Sequence, residues 1–222
     1  MRMKPLLRGI VILSLVFVGP LAWAGDKSMS GVTLVWSPTS SLQSFDLPPL
    51  NLTPFQGVQI AVAPFTDARP DKAVIGVNTE DRAPKFVKTN QDVSAFVTAH
   101  TKDLLKSLGL PVVDLAEGSP IVLSGEILRY GVNEKDTYSG DVRIKLTIRH
   151  GQKVVWEGLA MGHASRFGRS FKLENYQEVL SDSLMEAVAR QLADSTFLRV
   201  LSGKAEVVET TSSPSTDATS TR

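Results

Sequence analysis

Two stretches of the chain repeat apolar side chains at helical spacing. Val93, Phe96, Val97, His100, Leu104 and Leu108 share one face, with Gly109 and Pro111 as the stop. Tyr176, Val179, Leu180, Leu184, Val188 and Leu192 repeat the pattern, and Asn175 with Glu178 has capping-box spacing, predicting a helix start near Asn175. Elsewhere the period is two. Val142, Ile144, Leu146 and Ile148 alternate with Arg143, Lys145, Thr147 and Arg149, which predicts a half-buried strand. A turn at His150, Gly151 and Gln152 leads into a further strand over 153–163, so the two form an antiparallel hairpin. Residues 31–36, 58–65 and 120–130 read as three more strands.

Between these elements lie two irregular stretches. Residues 37–57 hold Pro38, Pro48, Pro49 and Pro54, which predicts an extended segment. Residues 66–90 form a polar stretch too long for an ordinary loop, so it either contains a short strand near 74–77 or carries function. The expected fold class is α+β: a mixed or mostly antiparallel sheet of about five strands with two amphipathic helices packed on one face.

The two ends differ from the middle. Arg2, Lys4 and Arg8 precede an apolar run over 10–18, and Ala22-Trp23-Ala24 offers small residues at a cleavage site. That layout predicts a signal peptide over 1–24, cut after Ala24, and the run is too short to span a bilayer. An uncleaved anchor is the rival reading. From 210 to 222, nine of thirteen residues are Ser or Thr, and 203–222 is expected to be a disordered tail. The remainder divides into an N-terminal strand and proline-rich segment, 25–57, and a single α+β domain, 58–202.

Composition narrows the chemistry. With 24 basic and 23 acidic side chains the formal charge is +1, so no global field favours nucleic acid. Removing the three basic residues of the signal segment leaves −2. The chain has no cysteine, which excludes disulfides, thiolate catalysis and cysteine-ligated zinc. It also excludes the lipid-bearing cysteine of a bacterial lipoprotein, because Gly25 stands at that place.

No catalytic motif emerges, and no cofactor or metal site is expected. His100, His150 and His163 lie on separate elements without metal-ligand spacing, and His100 falls on an apolar helical stripe that favours a packed histidine. Gly162 to Ser170 imitates a phosphate loop but has five residues between its glycines and arginine in place of lysine. Arg143, Lys145 and Arg149 form a basic stripe that acidic neighbours can balance. Asp67, Arg69 and Asp71 form a charged cluster whose internal pairing explains its composition without a cation.

The run Ile60-Ala-Val-Ala-Pro-Phe-Thr-Asp-Ala-Arg-Pro-Asp71 with Val74-Ile-Gly76 resembles the first block of the YajG-like bacterial envelope lipoproteins. Val154-Val-Trp-Glu-Gly158, Ala164-Ser-Arg-Phe-Gly-Arg-Ser170 and Glu174-Asn-Tyr-Gln-Glu-Val-Leu-Ser-Asp182 resemble the second. The resemblance covers roughly residues 58–192 and implies a periplasm-facing α+β domain of a Gram-negative envelope with no established enzymatic activity. Such proteins are lipid-anchored through a cysteine that this chain lacks.

The expectation is therefore an exported, periplasmic, non-enzymatic binding or accessory protein. Its partner would be an envelope protein or cell-wall component, met by the 66–90 stretch and the connection near 166–169. Asp67, Arg69, Asp71, Arg166 and Arg169 are the candidate partner-binding residues. One alternative is a periplasmic hydrolase using Asp67, Asp71 and a histidine. Another is a small-ligand or glycan carrier with Trp36, Trp156 and Tyr138 as aromatic walls.

Overall fold

The structure, a computed structural model, describes residues 28–45 and 47–204. The expected signal segment and nearly all of the expected tail lie outside the described residues. In chain order the first strands are β1 (Met29–Val32), β2 (Ile60–Val62), β3 (Thr66–Asp67), β4 (Val74–Asn78) and β5 (Lys85–Thr89). Helix α1 (Val93–Ser107) and β6 (Val112–Val113) follow. Three long strands come next: β7 (Ile121–Glu134), β8 (Tyr138–His150) and β9 (Lys153–Arg166). Helices α2 (Leu173–Leu192) and α3 (Ser195–Leu201) close the described chain.

The α+β class follows the sequence pattern, but the described sheet has nine strands rather than about five, and a third helix is present. β7 is the reason for the extra strands. One of its edges pairs antiparallel with β8 along nearly its whole length. The other edge takes β2, β3 and β4 in series, all parallel to it. β6 adds outside β2, β5 pairs antiparallel with β4, and β1 lies parallel outside β5. The 66–90 stretch is thus no open loop. Its short β-forming runs satisfy their backbone groups against β7 (β3 and β4) or against β4 and β1 (β5), and bury Ile75 and Val87.

The alternation in β8 sorts as predicted. Val142, Ile144, Leu146 and Ile148 are buried, whereas Arg143 and Lys145 are exposed on the other face. On that outer face Arg143 pairs with Asp141 at 3.0 Å and Lys145 with Glu157 at 3.0 Å. Arg149 donates to Gln152 at 3.1 Å. Arg143 and Lys145 are therefore balanced by acidic neighbours, whereas Arg149 meets a neutral amide. The turn between β8 and β9 is Gly151–Gln152, with Gly151 at φ 57°.

The helices cover the opposite face. Tyr176, Val179, Leu180, Leu184, Val188 and Leu192 are buried there, as the helical period requires. α2 crosses β8 and β9 very closely, because glycines stand beneath its small residues. A Cβ on Gly162 would lie 2.0 Å from the Ser183 carbonyl oxygen and 2.5 Å from the Ala187 nitrogen. α1 begins at an Asp92 cap whose carboxylate accepts the Ser94 and Ala95 N–H groups at 2.8 and 3.1 Å.

The start of α2 corrects the capping-box reading. Its N-cap is Lys172, with no side-chain cap, and Asn175 lies inside the first turn, where its Nδ2 donates to the Arg169 carbonyl at 3.2 Å. The proline-rich segment is fastened to α2 by Asp182, which is buried. The Asp182 carboxylate accepts from the Thr39 N–H at 2.8 Å, the Thr39 hydroxyl at 2.6 Å and the Ser40 N–H at 2.9 Å.

Candidate functional site

The connection from β9 to α2, residues 167–172, is short, sharply bent and held from below. Along β7 the inward positions Tyr130 and Val132 are followed, at the same period, by Glu134. This places a carboxylate that is only 1% exposed beneath the connection. It accepts the Phe171 N–H at 2.7 Å and the Tyr176 hydroxyl. Around it, the Tyr138 hydroxyl donates to the Arg169 carbonyl at 2.6 Å and accepts the Lys172 N–H at 3.0 Å. Ser170 donates to Glu80, while Asn78 reaches both residues from β4.

The electrostatics follow from these contacts. Burial pushes the Glu134 carboxyl up, but the hydrogen bonds from Tyr176 and Phe171, helped by the nearby polar groups of Asn78 and Ser170, outweigh it and hold the group below its ordinary value. Burial and the neighbouring Glu134 together push the Tyr176 hydroxyl far up, so it stays a donor. Phe171 sits at φ 51°, in the left-handed region that a bulky side chain rarely adopts. Its N–H bond to Glu134 and its ring, 6.4 Å from that of Tyr176, keep it there.

What this clamp presents outward is Phe167. It is 83% exposed, far beyond the other large apolar side chains among the described residues, and Arg169 is exposed two residues on. Arg166, by contrast, is paired with Glu178 of α2. The phosphate-loop imitation dissolves: residues through Arg166 belong to β9, and α2 starts only at Leu173.

The Asp67–Asp71 cluster lies apart on the β3–β4 turn and splits in two. Arg69 is 6% exposed, and its guanidinium is fully engaged. Nε and Nη2 donate to the two Asp67 oxygens at 2.9 and 2.8 Å. Nη1 and Nη2 also reach the carbonyls of Val74 (2.9 Å), Tyr130 (3.1 Å) and Lys72 (2.6 Å). Burial raises the Asp67 pKa, yet the Arg69 bonds dominate and lower it overall. Asp67 and Arg69 thus face inward and tie the turn to β7. Asp71 is exposed and accepts the Ala73 and Val74 N–H groups. It stands on the rim of an open groove of about 460 Å³, floored by β4 and by Leu128–Asn133 of β7.

The histidines stay separate from this cluster. His100 stacks on Trp36 with ring centroids 4.4 Å apart and meets Phe96 edge-on. His150 Nε2 lies 3.0 Å from the Val200 carbonyl, and His163 lies 3.9 Å from Asp141. The three aromatic candidates do not line one cleft either: Trp36 packs on His100, Trp156 on Phe197, and Tyr138 on Tyr176. Among the described residues no cluster of three or more metal-ligating side chains occurs.

The sequence singled out Arg166 and Arg169 as candidates and passed over Glu134, Phe167 and Phe171. The signal for Glu134 was its place in the inward series 130, 132, 134.

Comparison with known proteins bears on the fold. The sequence matches no family profile and no curated protein. Protein XCC0632 from Xanthomonas campestris, described as DUF330, is similar in structure at a TM-score of 0.50 and 12% identity, covering 79% of this chain and 95% of that one. PelC from Paraburkholderia phytofirmans, described as a dodecamer, has a TM-score of 0.42 and 15% identity over 67% of this chain and 92% of its own. Rare lipoprotein B from Shewanella oneidensis has a TM-score of 0.36 and 9% identity over 66% and 99%. At 12% identity the likeness to XCC0632 is one of fold alone. Among the described residues no helix is long and apolar enough to cross a membrane.

Proposed function

We propose that this chain is an exported, periplasmic, non-enzymatic binding or accessory protein of a bacterial envelope, in the manner of the YajG-like proteins. It meets an envelope protein through the β9–α2 connection. The observation that carries this reading is the 83% exposure of Phe167 on a loop whose backbone is fixed from below by Glu134. Contacts commonly sit on loops held by a rigid scaffold, and here the residues that follow Phe167 are fixed from below through Arg169, Phe171 and Lys172. Phe167 and Arg169 form the contact, while Arg166 braces it through Glu178. The hydrolase alternative has no comparable support, because Asp67 is committed to Arg69 and no histidine partners Asp67 or Asp71.

A photo-crosslinking amino acid at position 169 tests the reading in intact cells, with the exposed position 117 as control. A discrete adduct from 169, absent from 117 and lost with Phe167→Ala, is the expected result. Equal background from both positions would overturn it.

A further inference from the structure

A second surface lies along the edge of the sheet, away from the Phe167 loop. β9 pairs only with β8, so its outer edge carries no strand among the described residues over fourteen residues. The other sheet ends are far shorter: β1 has four residues and β6 two. Long open edges are places where another strand adds, unless the fold blocks them. Here the block is small. The outward His163 N–H is met by the Glu186 carboxylate from α2, which Arg190 holds at 2.6 Å.

The outer face of β9 is also apolar where a solvated edge should be charged. Leu159 is 47% exposed and Met161 42%, alternating with buried Ala160 and Gly162. Because the His163 N–H points away from β8, the period of two turns the other outward backbone groups to odd-numbered residues. An antiparallel pair centred on Ala160 therefore sets odd residues against odd, with hydrogen-bonded and non-bonded pairs alternating as the ladder requires. In that register Leu159 faces Met161 of the other copy, and Glu157 faces His163. The strand is complementary to itself, apolar against apolar and acid against base, which an isologous twofold interface demands.

We infer that β9 is the interface of a symmetric dimer, in which two copies join their sheets antiparallel about a twofold at Ala160. Glu186 leaves the His163 N–H as the second strand arrives. Phe167 lies beyond β9, past the paired stretch, and remains available to a different partner.

Sedimentation of the full chain over a dilution series tests this, with two double variants at exposed positions. Wild type is expected to sediment as two chains and to dissociate on dilution. Leu159→Lys with Met161→Lys places like charges opposite each other and weakens the dimer by about tenfold or more. Leu159→Lys with Met161→Glu sets an ammonium against a carboxylate across the twofold and restores it. Unchanged circular dichroism shows that both variants fold. A monomeric wild type, a dimer indifferent to the lysine pair, or no recovery with the lysine–glutamate pair would each overturn the inference.

Discussion

The Glu134 carboxylate accepts the N–H of Phe171 at 2.7 Å, and Phe171 is the one described non-glycine residue at positive φ. A buried acid at the end of β7 thus maintains a backbone conformation that its own residue disfavours. Glu134→Ala leaves the Phe171 N–H and the Tyr176 hydroxyl without an acceptor and should cost about 3 kcal/mol. Glu134→Gln keeps one acceptor and should cost about 1–2 kcal/mol. Urea unfolding at neutral pH measures both.

Acid should loosen the same clamp. Glu134 and Asp67 both have native values below their ordinary ones, so each binds a proton less readily folded than unfolded. Their contribution is complete above the ordinary carboxylate range and is lost as pH falls through the native values. The urea midpoint should therefore drop on acidification, and Glu134→Gln should show a shallower drop than wild type. Equal slopes would mean that Glu134 does not supply the effect.

Gly162→Ala should be among the most damaging single methyl additions in the chain. The new Cβ meets backbone of α2, at Ser183 and Ala187, rather than a side chain that can turn aside. Moving the helix off β8 and β9 should cost about 3 kcal/mol, seen as a fall in the thermal midpoint.

Arg69→Lys should also be costly although charge is retained. An ammonium cannot serve both Asp67 oxygens and the carbonyls of Lys72, Val74 and Tyr130 from one plane. A loss of about 2–4 kcal/mol is expected in denaturant unfolding.

Phe167→Ala should behave in the opposite way. The side chain is exposed, so stability should stay within about 0.5 kcal/mol of wild type. Partner crosslinking from position 169 should disappear. A large stability change would instead make Phe167 part of the core.

The parts of the fold that were legible in sequence are those where one residue's environment repeats. Val142 to Ile148 in β8 and Tyr176 to Leu192 in α2 each face a continuous apolar layer, so their periods survive in the sequence. β3 escaped, and β4 was visible only as one of two readings near 74–77, because these strands are two and five residues long and take their parallel ladders from β7, more than fifty residues away. α3 is a seven-residue helix whose cap, Asp194, follows directly on α2, so its start was hidden in the end of the longer pattern. At the candidate site, Arg166 and Arg169 were visible as charge near glycine. Which of them turns outward was not, since that is decided by Glu178, a helix residue twelve positions away from Arg166.

The serial docking of β2, β3 and β4 on one edge of β7 has a kinetic consequence. A chain emerging amino end first brings out Ile60–Val62 and Thr66–Asp67 long before residues 121–134 that complete their ladders. The nine-stranded sheet cannot close on the first half of the polypeptide, whatever its local hairpins do. Such a chain stays threadable until most of it has been delivered, and then consolidates around a single late-arriving strand.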